Sequence, residues 1–165
     1  MLTGKMNMSN TKTGKIRLNP EQYQGQVRVS YTLCVKNRSH LFTEANIVPL
    51  LLDELKLALL KYSCKNELYV FMPDHLHCMV EGEKSDSDSL KAMYVFKQKT
   101  GFWLAQNLPE HKWQSRFYDH IHRETESMRS HMLYILNNPI RKGLAADWID
   151  YPYLGSLDYE IADLL

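Results

Sequence analysis

The sequence predicts an α+β domain on the ferredoxin-like (RRM-like) plan, βαββαβ. In that plan helices cover one face of an antiparallel sheet, and here a further helix follows the last strand. Three observations predict it. Residues 27–35 alternate apolar and polar, the apolar runs 67–72 and 75–80 are split by one Pro-Asp break, and segments of helical period stand at 46–62 and 89–107. The 165-residue chain, 44% hydrophobic and 24% charged, suffices for one substantial core but not for two.

Residues 1–25 are polar and lack apolar periodicity, which predicts a flexible N-terminal arm. The folded domain is expected over 26–145, with an acidic, partly packed tail over 146–165. In the first strand Val27, Val29, Tyr31, Leu33 and Val35 alternate with Arg28, Ser30, Thr32, Cys34 and Lys36. The helix over 46–62 sets Leu51, Leu55, Leu59 and Tyr62 on one face and tolerates Pro49 only in its first turn. Lys65-Asn66 reads as a turn, and Glu67–Met72 with His75–Val80 as a hairpin.

Ser87 or Asp88 is placed to cap the helix over 89–107, whose Leu90, Met93, Phe96 or Lys97, and Leu104 fall near one side. Lys112–His122 is expected to be a strand. The helix over 124–137 should stop before Pro139, because the residue preceding a proline resists helical geometry. Gly143 closes that segment.

Composition sets limits on function. Charges interrupt every apolar run, so none approaches the roughly 18 residues of a membrane span. The N-terminal stretch has no apolar h-region, which predicts a cytoplasmic protein with no membrane partner. Cys34, Cys64 and Cys78 lack CxxC spacing and are expected to be buried free thiols. Net charge is +1, arranged as basic blocks at 1–44 and 84–143 and acidic ones at 45–83 and 144–165. That balance argues against indiscriminate polyanion binding and leaves a directed contact open.

Two features carry chemistry. In His75-Leu76-His77 the imidazoles project to one face of a strand while Leu76 goes to the core, an arrangement suited to a divalent cation. His120-Ile121-His122 has the same spacing, and periodicity cannot choose between the pairs. The second feature is the helix carrying His131, Tyr134 and Asn138, where Tyr134 and Asn138 share a face and His131 sits one turn before the tyrosine. Packing at a helix–sheet boundary would also explain Tyr134, and a helix C-cap would explain Asn138.

Three segments, FMPDHLHCMVEG (71–82), WQSRFYDHIHR (113–123) and YILNNPIRKGL (134–144), together resemble the single-tyrosine HUH transposases, in particular the REP-associated tyrosine transposases. The likeness covers roughly residues 27–145. It implies that His75 and His77 are metal ligands, that Asn138 is the third ligand, and that Tyr134 on the C-terminal helix is the nucleophile. It also implies Mg²⁺ or Mn²⁺ as cofactor. His120 falls on the DH of the second segment, outside the metal site, and His122 stands where an apolar residue is expected. His131 is the candidate helper.

The activity implied is cleavage and rejoining of single-stranded DNA through a 5′-phosphotyrosine, at hairpins formed by terminal palindromes or dispersed repeats. The protein would be a bacterial, nucleoid-associated monomer or homodimer. Candidate DNA contacts are Arg28, Lys36, Arg38, Lys97, Lys99, Arg116, Arg123, Arg141 and Lys142. The main rival is a catalytically silent, domesticated DNA-binding protein on the same fold. A metal hydrolase using HxH alone is disfavoured, because Cys78-Met79-Val80 follows the pair where such sites want further ligands.

Overall fold

The structure, a computed structural model, describes residues 18–123 and 125–165. Its centre is an antiparallel sheet of β1 (Arg28–Cys34), β2 (Cys64–Met72), β3 (His75–Gly82), β4 (Tyr118–His122) and β5 (Leu154–Gly155), in the order β4-β1-β3-β2-β5. The alternation seen in the sequence sorts its two faces. Val29, Tyr31 and Leu33 of β1 join Leu76, Cys78 and Val80 of β3 in the larger core. Their neighbours Ser30, Thr32, His75 and His77 point the other way.

Helices α1 (Ile47–Lys61) and α2 (Ser89–Asn107) close the larger core with Leu51, Leu55 and Leu59 from one and Leu90, Met93, Phe96 and Leu104 from the other. Asp88 is the N-cap of α2, its carboxylate accepting from the Lys91 N–H at 2.9 Å. Ser87 instead ties the preceding loop, donating to the Ser63 carbonyl at 2.6 Å. The three cysteines are buried free thiols. Among the described residues no helix is long and apolar enough to cross a membrane.

The second face is not left wholly open. Helix α3 (Thr125–Leu136) lays Met128, Met132, Ile135 and Leu136 against Leu68, Val70, Met72 and Met79 of β2 and β3. That i, i+4, i+7, i+8 spacing makes one apolar stripe. The C-terminal segment adds β5 to the β2 edge and buries Tyr151, whose hydroxyl donates to the Phe71 carbonyl at 2.7 Å. What stays accessible is the β4–β1 side of the face and the start of β3.

Several expectations need correction. Of the arm expected over 1–25, residues 1–17 lie outside the described residues, but Pro20–Tyr23 forms a 3-10 turn. Tyr23 is buried there, and its hydroxyl donates to Asp119. Lys65-Asn66 is not a turn; the reversal lies at Tyr62-Ser63 and both residues belong to β2. Asn66 sits at a β-bulge, its buried amide donating to the carbonyls of Leu68 at 2.9 Å and Met79 at 3.1 Å. A polar side chain that satisfies the irregular backbone of a bulge looks like a turn residue in sequence.

The strand expected over 112–122 is shorter. Trp113 makes one bridge to Val35 and turns its indole inward, donating to Thr100 Oγ1 at 3.0 Å, and regular pairing resumes only at Tyr118. Past α3 the chain does not leave helical geometry at Pro139. A short helix α4 (Asn138–Arg141) begins there, with the proline in its first turn, where a missing N–H costs no hydrogen bond. Gly82 ends β3 where the chain passes closely: a Cβ there would lie 2.0 Å from the Gly25 carbonyl oxygen.

Candidate active site

His75 and His77 open β3 immediately after the two-residue hairpin, so the sheet holds them rigidly and side by side. Each ring is fixed through Nδ1. His75 Nδ1 is 2.6 Å from Asp74 Oδ1, and His77 Nδ1 is 3.0 Å from Thr32 Oγ1 on β1. The Asp74 carboxylate accepts the Nδ1 proton and the Thr32 hydroxyl is able to, which leaves the lone pairs on Nε2. Those two Nε2 atoms stand 3.2 Å apart. Two ligand nitrogens at about 2.0–2.1 Å from one ion are separated by about this much, so the pair fits a divalent metal.

Electrostatics favour the ligating form. Burial, then the neighbouring His75 and His131, push the His77 pKa down to about 3. Burial also lowers His75, against the opposing pull of Asp74. Burial would raise the Asp74 carboxyl, but His75 and Arg38 outweigh it and hold the group below the usual range. Both imidazoles are therefore neutral near pH 7 beside an ionised carboxylate.

Helices α3 and α4 bring the other groups. Tyr134 is 53% exposed on α3, whereas Asn138 at the start of α4 is 8% exposed. The Arg141 guanidinium carbon lies 3.9 Å from the Tyr134 ring centroid, and Arg141 Nη2 donates to Asn138 Oδ1. One open cavity of about 500 Å³ is lined by Thr32, Cys34, Arg38, His75, His77, Tyr118, Tyr134, Asn138, Arg141 and Lys142. Two phenols, two imidazoles, an amide oxygen and three cationic side chains thus face one space wide enough for a phosphodiester.

The match to known proteins fits this arrangement. The family described as "Transposase IS200 like" matches residues 23–138, most of the chain. The chain belongs to the IS200-like transposase family. Among its relatives, the REP-associated tyrosine transposase of Escherichia coli (strain K12) is 33% identical over 86 residues, 52% of this chain and 50% of that protein. A putative REP-associated tyrosine transposase of Haemophilus influenzae is 27% identical over 93 residues, 50% of this chain and 53% of that one. The chain thus spans about half the length of these curated relatives. A solved structure, described as the REP-associated tyrosine transposase bound to a REP hairpin, superimposes with a TM-score of 0.70 at 25% identity. That match covers 86% of this chain and 81% of the other.

In this chain the cavity gathers His75, His77, Tyr134, Asn138, Arg38, Arg141 and Lys142. Other basic residues singled out in the sequence lie elsewhere. Arg28 is paired with Glu67 at 2.9 Å and Glu81 at 2.8 Å, further along the sheet. Lys97 and Lys99 belong to α2, on the layer behind the sheet, where Lys97 donates to the Ser115 carbonyl at 2.7 Å and Lys99 lies 3.8 Å from Glu54. Lys36, Arg116 and Arg123 are exposed in connecting segments. His131 stacks on the Tyr134 ring at 6.3 Å with 23° between planes. That contact is ring against ring and places no imidazole nitrogen on the phenol oxygen.

Sequence reasoning missed Asp74 and Thr32. Asp74 carried a legible signal, since a carboxylate next to a ligating histidine is a common orienting group. Thr32 and Tyr118 face the cavity only through strand register, Thr32 standing opposite His77 on one side and Tyr118 on the other.

Proposed function

We propose that this protein cleaves and rejoins single-stranded DNA at hairpin or palindromic sequences through a 5′-phosphotyrosine formed on Tyr134. The observation that supports the reading is the shared cavity, which combines the paired His75 and His77 nitrogens with Tyr134 and Asn138. The relative bound to a REP hairpin supports DNA hairpins as the substrate class.

His75, His77 and Asn138 would hold the ion, Mg²⁺ or Mn²⁺. When bound, it supplies a Lewis acid that polarises a non-bridging phosphate oxygen. Asp74 and Thr32 keep the two rings in the ligating tautomer. Arg38, Arg141 and Lys142 bind the backbone phosphates by charge and compensate the charge that builds up during attack. Arg141 also holds the phenol ring and the Asn138 oxygen in fixed relation.

In the reaction the Tyr134 oxygen forms a bond to phosphorus as the P–O3′ bond breaks. The phenol gives up its proton and the departing oxygen gains one, leaving a free 3′-hydroxyl. The phosphotyrosine keeps a diester-like bond, so another 3′-hydroxyl attacks it, releases Tyr134 and joins new ends. His131 lies alongside the tyrosine ring, 6.3 Å between centroids.

The test is incubation of the full chain with labelled single-stranded hairpin DNA and Mn²⁺. The expected product is a protein–DNA adduct that survives denaturation and needs the metal. A shift that disappears with salt and never becomes covalent would instead identify a DNA binder without cleavage chemistry.

A further inference from the structure

Of the seven histidines in the chain, five stand on or against one sheet face, and only His75 and His77 belong to the cavity described above. The other three form a separate cluster. His120 and His122 project together from β4, and His131 reaches them from α3. Ring centroids are 4.7 Å apart for His120–His122, 5.1 Å for His122–His131 and 6.2 Å for His120–His131.

His122 is the informative member. It is 9% exposed, its Nε2 lies 3.0 Å from Ser30 Oγ, and its buried Nδ1 has no hydrogen-bond partner among the described residues. A buried orphan nitrogen is costly and calls for a partner. The two nearest rings are imidazoles, themselves ligands. Ser30 stands to His122 as Thr32 stands to His77: a β1 hydroxyl occupies one nitrogen and leaves the other to a ligand. His122 also lines an open cavity of about 560 Å³ beside β1 and the start of α3.

We propose that His120, His122 and His131 form a second metal site, for a zinc-class divalent ion, that clamps α3 to β4. Three imidazoles bound tetrahedrally at about 2.0–2.1 Å carry ring centroids about 5 Å apart. Two of the observed separations already match. Among the described residues no three His, Cys, Asp or Glu side chains are placed to hold an ion as they stand, and the 6.2 Å His120–His131 separation is the one that must close on binding. His120 is the exposed member of the three. Burial, then His120, lower the pKa values of both His122 and His131, so these rings are neutral and ready to ligate near pH 7. An all-imidazole set suits Zn²⁺, Ni²⁺ or Co²⁺ rather than Mg²⁺ or Mn²⁺, which separates this site from the catalytic one in chemistry as well as place. Since His131 stacks on Tyr134, the clamp would also fix the bed of that phenol.

The test uses the untagged full chain carrying His75→Ala and His77→Ala, which removes the first site. Zn²⁺ is titrated by calorimetry and Co²⁺ by its visible absorption. One ion per chain is expected, with the intense tetrahedral Co²⁺ spectrum and a Zn²⁺-dependent rise in melting temperature. Adding His120→Ala, on the surface and harmless to folding, should weaken binding at least tenfold, as should His131→Gln, while His40→Ala should change nothing. The proposal is overturned if the double variant binds no ion, or if binding is indifferent to His120→Ala and His131→Gln. Zn²⁺ binding without any DNA adduct in the parent chain would leave this site standing and remove the cleavage reading instead.

Discussion

The Arg141 guanidinium lies 3.9 Å from the centroid of the Tyr134 ring while donating to the side-chain oxygen of Asn138. One cation therefore bridges a residue on α3 and another on α4 across the junction at Asn137. Replacing it with alanine removes the restraint on the phenol and a phosphate-binding charge at once. Adduct formation should fall about tenfold or more, equivalent to about 1.4 kcal/mol of barrier. Arg141→Lys keeps the charge but loses the planar stack, so it should recover part of the rate. Single-turnover cleavage of labelled hairpin DNA measures both.

Tyr134→Phe is expected to abolish the covalent adduct. The phenyl ring still stacks on His131 and Arg141, so fold and DNA affinity should remain close to those of the parent protein. Denaturing gels and gel-shift titrations read the two effects separately. An adduct that persisted would move the nucleophile, and Tyr118, 68% exposed and lining the same cavity, would be next.

The two HxH pairs should behave differently. His75→Ala removes one of the two convergent nitrogens and should cut Mn²⁺-dependent adduct formation by a hundredfold or more. His120→Ala, outside that cavity, should leave most of it. Equal losses would separate the chemistry from the His75–His77 pair.

Asp74→Asn tests the support of the ligand rather than the ligand. Asparagine can still accept the His75 proton but without charge, so Mn²⁺ affinity should drop about 10- to 100-fold, with the folded structure intact. Calorimetric titration gives the affinity, and melting curves check the fold.

Much of this site was visible in sequence because its parts are local. The period-2 placement of His75 and His77 around Leu76 depends only on strand geometry, and the i, i+4 relation of Tyr134 and Asn138 only on helical spacing. The two faces of the sheet followed from alternation in the same way. What sequence could not supply is register. Nothing local says that Thr32 faces His77, or that His120 and His122 lie on the same side of the sheet as the first pair and meet His131. The irregular elements were also illegible, since the Asn66 bulge and the inward turn of Trp113 exist to satisfy distant backbone and Thr100.

Glu67 lies at that bulge and offers a test with a defined sign. Its side chain is 1% exposed; one oxygen pairs with Arg28, and the other has no hydrogen-bond partner among the described residues. Burial raises its pKa above the usual 4.5, outweighing the attraction of Arg28, with Glu81 adding to the rise. Between 4.5 and the raised value the folded state therefore binds more protons than the unfolded one, and stability falls as pH rises through that window. Glu67→Gln removes the titration. The stability of the parent protein relative to Glu67→Gln should be greatest near pH 4 and decline toward pH 7, as measured by thermal melts of both proteins across that range. A difference that grew with pH would mean that the Arg28 ion pair, and not burial, governs this carboxyl.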